Sequence, residues 1–261
     1  MSDVNITQDG HVGIAEINRP PDNFFDMVLI AALAEAFDGF AARNMRAILL
    51  CATGKNFCAG ADFRRAGGGD PKTEAAALYR EALRLYSCPL PVVVAVQGSA
   101  IGGGLGLAMV GDLRVASPES RFSANFARLG LHAGFGLTAT LPRAIGEQRA
   151  ALLLYTGRRI DGREAAAIGL VDRVVDQDAL RAEALALASE IAQSSPIAVQ
   201  SMRATLRHGL ADRIAAATER ELSEQARHFA SEDFREGVQA MAERRPPQFT
   251  GGSTRAEGGI R

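Results

Sequence analysis

Two glycine-bearing stretches decide how this chain folds. One is Gly54-Lys55-Asn56-Phe57-Cys58-Ala59-Gly60-Ala61-Asp62-Phe63, and the other is Gly98-Ser99-Ala100-Ile101-Gly102-Gly103-Gly104-Leu105-Gly106. Each follows a short apolar run of strand character, Ala47 to Ala52 and Val92 to Val96. Glycine lets a backbone bend sharply and lets a ligand approach it closely. The second stretch leads into a small-residue helix, Gly104 to Val110, and a helix start offers unpaired N–H groups at the positive end of a dipole. Two such turns side by side can aim two main-chain N–H groups at one oxygen, which is an oxyanion hole in outline.

Upstream, Val4 to Gln8 and Val12 to Ile17 alternate and are split by Asp9-Gly10, a hairpin signal. Arg19-Pro20-Pro21-Asp22-Asn23 breaks the strand, and Asp26 is placed to cap a helix carrying Leu29, Ile30, Leu33, Ala36, Phe37 and Phe40 at helical spacing. Between the turns, Gly67-Gly68-Gly69 reads as a loop, and a helix runs from Pro71 to about Tyr86. Val92 to Val96 is apolar throughout, as expected for a strand buried on both faces. Leu113 to Ala116 reads as a further strand. This order of strands and helices predicts parallel βαβ units with right-handed crossovers.

Arg121 to Gly136 is irregular, followed by helical segments at Glu147 to Tyr155 and Arg163 to Ile168 and a strand near Val171 to Val175. Beyond Asp178 the composition shifts to Ala/Leu/Glu/Arg-rich helices over about 178–194, 197–208, 211–230 and 233–243. In the third, Ile214, Thr218, Leu222, Ala226 and Phe229 form the stripe expected to pack. The tail from Arg244 reads as loose.

Composition narrows the function. Of 261 residues 47% are hydrophobic and 23% charged, and the formal charge is −1, so no global field draws nucleic acid or an acidic membrane. Cys51, Cys58 and Cys88 lack metal-ligand spacing and suit a reducing compartment. The polar first residues and the lack of an apolar stretch of about 20 residues predict a cytoplasmic chain. Gly102 to Gly106 lacks the third glycine of a dinucleotide fingerprint, Gly54 to Gly60 lacks the Lys-Ser/Thr of a P-loop, and Gly98 to Gly102 is no nucleophile elbow.

Taken in order, the motifs resemble the crotonase (enoyl-CoA hydratase/isomerase) superfamily. They are Phe57 to Asp62; Gly98 with Ile101 to Ala108; Asp112 to Ala116; Leu129-Gly130-Leu131; Thr138; Leu141-Pro142-Arg143; Gly146; Thr156-Gly157; Ala165-Ala166; Gly169-Leu170-Val171 with Val174-Val175; and Ser231 to Gly237. The resemblance implies an α/β fold, a crotonase-like spiral of ββα units over 1–195. A C-terminal helical region over 196–261 then serves as trimer contact or lid, in a homotrimer or dimer of trimers. It implies an acyl-CoA substrate, with coenzyme A as part of that substrate and no separate cofactor or metal. The thioester carbonyl would be held by the N–H groups of Ala61 and Gly103. As in relatives, Ala59 to Phe63, Asp62 included, would lie along the adenine end of CoA, with Gly102 beside the substrate. Arg64 reads either as a CoA-phosphate contact or as a solvated loop charge, and Phe126 and Phe135 either as acyl-pocket lining or as core.

The chain departs from this pattern at the acids. Family hydratases carry glutamates at the places that read Gly106 and Phe126 here, and isomerases often carry an acid where this chain has Gly134. Without a group to take and return protons, two-glutamate hydration is not expected to be efficient. The ionisable residue left in that loop is His132. When Gly134-Phe135-Gly136 is aligned with the similar Gly-Tyr-Gly of the naphthoate-synthase-like and ring-hydrolase branches, His132 falls where they carry an aspartate. Histidine titrates near neutrality and can act as acid, base or donor. The alternative is a loop histidine satisfied by backbone carbonyls. Glu74, Tyr79 and Glu81 lie on the helix that flanks the acyl pocket in relatives but read more readily as residues of its solvated face, and Cys58 reads as a core thiol. Three activities stay open: hydratase/isomerase chemistry, C–C hydrolysis or decarboxylation of a CoA ester using His132, and non-catalytic acyl-CoA binding.

Overall fold

A computed structural model describes residues 2–62 and 71–252. Phe63, Arg64 and the Gly67–Gly69 stretch lie outside the described residues, so the expectations placed on them are not addressed. The chain opens with the antiparallel hairpin β1 (Val4–Asp9) and β2 (Val12–Ile17), then α1 (Met27–Ala42), β3 (Ala47–Ala52), α2 (Pro71–Ser87) and β4 (Val92–Val96). The second glycine turn adds a short strand, β5 (Ser99–Ile101), before α3 (Gly103–Ala108), β6 (Leu113–Ala116) and β7 (Arg121–Ser123). A 3-10 turn (Asn125–Leu129) leads to α4 (Leu137–Ile145), α5 (Glu147–Thr156), β8 (Ile160–Asp161), α6 (Gly162–Ala167) and β9 (Arg173–Val174). Helices α7 (Leu180–Ala192), α8 (Pro196–Leu206), α9 (Leu210–Phe229) and α10 (Glu232–Glu243) complete it.

Among the described residues the larger sheet has the order β1-β2-β3-β4-β6-β9, parallel from β2 onward. A smaller sheet has the order β5-β7-β8. Strand residues alternate between two cores. Ile48, Leu50, Val92, Val94 and Val96 pack with α1 residues Leu29, Leu33, Phe37 and Phe40. Leu49, Cys51, Val93 and Ala95 pack beneath Leu180, Ala184, Leu187 and Ala188 of α7. A sheet covered on both faces is why β3 and β4 read as unbroken apolar runs. Asp26 caps α1 by accepting the Leu29 N–H at 2.9 Å.

The sequence reading named no element at α4, β5, β7 or β8, and it placed a different stripe on α9. Helix α4 forms although Pro142 lies inside it. The buried stripe of α9 is Leu210, Ile214, Thr218, Glu221 and Gln225, with Leu222 and Phe229 only partly covered. Polar Glu221 and Gln225 are buried because the loop facing them offers main-chain groups that need partners. Helix α10 closes against the 3-10 turn so tightly that a Cβ on Gly237 would stand 2.5 Å from the Leu129 carbonyl carbon.

Candidate active site

The two glycine turns lie alongside one another. Phe57 N–H donates to the Gln97 carbonyl (2.8 Å), Cys58 N–H to Ser99 (2.9 Å), and Ile101 N–H returns to Cys58 (3.1 Å), giving a parallel bridge between Cys58 and Ala100. The outer side of the first turn is tied to the Arg19–Asp26 loop: Ala59 N–H donates to Asp22 (2.9 Å) and Phe25 N–H to Gly60 (3.0 Å). Gly102 N–H donates to Ser123 (2.8 Å), which fixes the second turn to β7.

The amides of Ala61 and Gly103 stay out of this network. Neither the Ala61 N–H nor the Gly103 N–H, the first of α3, has a hydrogen-bond partner among the described residues. Their segments touch: at Gly60 (φ +92°) an added Cβ would lie 3.7 Å from the Gly103 nitrogen and 2.8 Å from the Ile101 oxygen. Only glycine takes that backbone conformation readily. Gly104 is equally confined, since a Cβ there would stand 2.1 Å from the Cys58 carbonyl oxygen. Ala59, Ala61 and Asp62 are half-buried, on the accessible side of the turn, while Phe57, Cys58 and Gly60 are buried. The Cys58 thiol is fully covered, and burial pushes it up to about 12, as suits a core residue.

Aromatic rings surround the start of α3. A Cβ on Gly103 would stand 2.4 Å from the tip of the Phe25 ring, and that ring packs on Phe135 with centroids 5.4 Å apart. Tyr79 and Tyr86 meet Phe135 edge-on, each at 6.5 Å. The Tyr86 hydroxyl donates to the Gly106 carbonyl at 2.9 Å. A Cβ on Gly102 would lie 3.8 Å from the Phe126 ring. Phe126 and Phe135 thus stand beside the second turn, both buried.

Helix α9 anchors the loop that carries Phe135. The Glu221 carboxylate accepts the Gly136 N–H (2.8 Å), the Thr138 N–H (3.0 Å) and the Thr138 hydroxyl (2.6 Å). Burial raises its carboxyl above the ordinary range, against the pull of those hydrogen bonds. Gln225 donates to the His132 carbonyl (3.0 Å) and accepts from the Tyr79 hydroxyl (2.8 Å). Tyr79 therefore corrects the solvated-face expectation. It is 9% exposed, and burial raises its phenol, because α2 turns this face toward α9 and the Phe135 loop.

His132 is half-buried. Its Nδ1 lies 2.8 Å from the Ala133 carbonyl, and its ring centroid is 6.4 Å from that of His228, whose Nδ1 accepts the His132 N–H at 2.9 Å. An Nδ1–H donating to Ala133 leaves Nε2 with the basic lone pair. The sequence reading missed Glu221, Gln225 and His228. The first two sit at helical spacing with Ile214 and Thr218, a continuation of the stripe visible in the sequence once polar residues are admitted to it.

Comparison with known proteins bears on this arrangement. The Enoyl-CoA hydratase/isomerase family model matches residues 7–252. The chain is 36% identical over 257 residues to the mitochondrial enoyl-CoA hydratase domain-containing protein 2 of Bos taurus, covering 92% of this chain and 85% of that one. In structure it is similar to an enoyl-CoA hydratase/isomerase from Pseudoalteromonas atlantica T6c, with TM-score 0.86, 34% identity, and 95% and 100% of the two chains covered. An enoyl-CoA hydratase from Mycobacterium avium subsp. paratuberculosis K-10 gives TM-score 0.84 at 27% identity, covering 95% and 99%. The architecture is the crotonase fold. The chain belongs to the enoyl-CoA hydratase/isomerase family, and it is an enzyme of that type.

Proposed function

We propose that the protein binds an acyl-CoA and charges its thioester carbonyl, the oxygen lying between the N–H groups of Ala61 and Gly103. The observation that carries this reading is that these two neighbouring amides have no hydrogen-bond partner among the described residues where the turns meet. Removing a proton, or a carbon–carbon bond, at the α-carbon leaves an electron pair that delocalises onto the thioester oxygen. Two donors already in place stabilise that charge, and one such donor is typically worth about 2.7–4 kcal/mol. Coenzyme A enters and leaves as part of the substrate. Ala59, Asp62 and Gly102 would lie along it, and Phe126 and Phe135 would give the acyl site apolar walls.

With Gly106, Phe126 and Gly134 at the acid positions, hydration by paired glutamates is not the chemistry this site favours. Isomerisation through the enolate adds no water but, with Gly134 in place of the isomerase acid, needs another group to carry its proton, and His132 is the ionisable side chain of that loop. A second reading, C–C hydrolysis or decarboxylation of a CoA ester, draws support from His132, whose Nδ1 contact with Ala133 leaves Nε2 free to move a proton. Assembly as a trimer or dimer of trimers through 196–261, in the cytoplasm, belongs to the same proposal.

The test is a panel of CoA esters. Crotonyl-CoA followed by loss of enoyl absorbance should turn over slowly, while 3-enoyl-CoA isomerisation or cleavage of a β-keto or β-carboxy acyl-CoA should be faster. Fast crotonyl-CoA hydration would overturn the reading of the missing acids. Tight binding with no product from any ester would identify a carrier. A His132→Ala variant with undiminished turnover would remove His132 from the chemistry.

A further inference from the structure

An oxyanion site built from two separate turns works only if the turns are held in register, since an error of about 1 Å can cost roughly a hundredfold in rate. Main-chain bonds supply part of that register. The rest passes through Asn56, a buried side chain directly before the first turn's Phe57. Its Oδ1 accepts the Ser99 N–H of the second turn at 3.1 Å, and its Nδ2 donates to Asp22 Oδ1 in the Arg19–Asp26 loop at 2.9 Å. Its main-chain carbonyl accepts from Asn23 Nδ2 at 2.7 Å, and the same nitrogen donates to Thr53 at 2.8 Å. Asn23 Oδ1 in turn accepts the Arg19 N–H at 2.8 Å. The Asn23 side chain is fully buried, so each of these bonds replaces one that water no longer makes.

Two carboxamides thus join three segments. The loop brings Phe25 against Gly103 and accepts from Ala59, the first turn carries the Ala61 amide, and the second carries the Gly103 amide. The fit at Asn56 is close: a Cβ on Gly98 would stand 2.8 Å from Asn56 Oδ1 and 2.1 Å from the Lys55 carbonyl oxygen. Ser99, whose N–H Asn56 accepts, is the residue whose carbonyl receives the Cys58 N–H. A shift at Asn56 therefore moves the bridge between Cys58 and Ala100, and with it the spacing of the two free amides.

We propose that Asn56 is a positioning residue for the carbonyl-binding site, acting through Ser99 on one side and Asp22 on the other. The inference rests on the reading that Ala61 and Gly103 hold the thioester oxygen. A side chain that merely stabilised the fold would lower the melting temperature without changing how strongly a bound carbonyl is polarised.

The experiment records the infrared stretch of a carbonyl-13C-labelled butyryl-CoA, free and bound, to wild type, Asn56→Ala, Asn56→Asp and Asp22→Ala. In the wild type the band should move to lower frequency on binding. Asn56→Ala should lose at least half of that shift. Its turnover on the best substrate of the panel should fall about ten- to a hundredfold, with KM little changed. Asn56→Asp keeps an acceptor for Ser99 but sets a carboxylate against Asp22, so it should fall between the two. It also serves if Asn56→Ala, which leaves the Ser99 amide without its acceptor, does not fold. Asp22→Ala keeps the Asn56–Ser99 tie but frees the Asn56 amide on its other side, so it should lose part of the shift, less than Asn56→Ala does. A wild-type shift that is unchanged in both Asn56 variants overturns this inference alone. No shift in the wild type overturns the reading of the Ala61 and Gly103 amides beneath it.

Discussion

Phe135 fills the space in front of Gly106: a Cβ added at 106 would stand 2.7 Å from the Phe135 Cβ and 2.9 Å from its ring. Position 106 is where the family resemblance places a hydratase glutamate, so the missing acid and the ring are two parts of one arrangement. Gly106→Glu by itself should not create a hydratase. It should cost about 1–3 kcal/mol through overpacking, read as a lower urea midpoint, and leave crotonyl-CoA hydration at the wild-type level. Pairing it with Phe135→Ala makes room and should recover part of the stability lost. A single Gly106→Glu variant as stable as the wild type would show that the ring yields freely.

Gly104 and Gly39 should respond to the same substitution with opposite signs. A Cβ on Gly104 meets the carbonyl oxygen of Cys58 at 2.1 Å and its carbonyl carbon at 2.8 Å, and backbone cannot swing aside as a side chain can. Gly104→Ala must push the turns apart, so acyl-CoA turnover should fall steeply, with a stability loss of about 1–3 kcal/mol. A Cβ on Gly39, inside α1, meets nothing within 4 Å. Gly39→Ala should stabilise the fold by about 0.5–1 kcal/mol through helix propensity, without changing turnover. Thermal melts and one activity assay on the two variants decide both.

His228 makes stability depend on pH near neutrality. Its Nδ1 accepts the His132 N–H at 2.9 Å, which requires a lone pair on that nitrogen. Burial, and then the charge of His132 and that of Arg227, hold its protonation below the ordinary histidine value, with Glu224 opposing them. A histidine depressed in the folded state contributes stability that is present above the unfolded value of about 6.5. That contribution is lost as pH falls from there through the lower folded value. The urea midpoint should therefore drop between about pH 7 and pH 5. In His228→Asn, whose carbonyl oxygen can accept the same N–H without titrating, the drop should be smaller. Equal slopes for the two proteins would exclude His228 as the source.

Much of the frame is legible in the sequence because it rests on periodicity. The α1 stripe of Leu29, Ile30, Leu33, Ala36, Phe37 and Phe40 is buried as its spacing requires, and β3 and β4 begin and end where the apolar runs do. The hairpin turns at Gly10, which has φ +54°. Other features depend on contacts between residues far apart in sequence. Asn23 and Asn56 read locally as turn formers, yet both are buried because main-chain groups of three segments converge on them. Glu221, Gln225 and Tyr79 look like solvated-face residues until the loop from Gly130 to Thr138 supplies their partners. The turns were visible as glycine patterns, but which amides remain unpaired depends on bonds between segments that periodicity does not report.

Glu221 should control the acyl wall from a distance. Its carboxylate occupies both the Gly136 and Thr138 amides and the Thr138 hydroxyl, and Phe135 stands directly before Gly136 with φ +61°, a conformation uncommon outside glycine. Glu221→Ala would leave those buried groups without a partner, at about 1–3 kcal/mol for each one that stays unsatisfied, and would free the Phe135 backbone to relax. The ring would then leave its place against Gly106 and Phe25. Such a variant should unfold at distinctly lower urea and lose selectivity for acyl length, with KM values for short and long CoA esters converging. Glu221→Gln keeps one oxygen for these donors but turns an NH2 group toward the others, so it should lie between wild type and alanine on both measures. If Glu221→Ala lost stability yet kept the wild-type ratio of KM values, the Phe135 loop would be held by its own packing, and α9 would have no part in shaping the site.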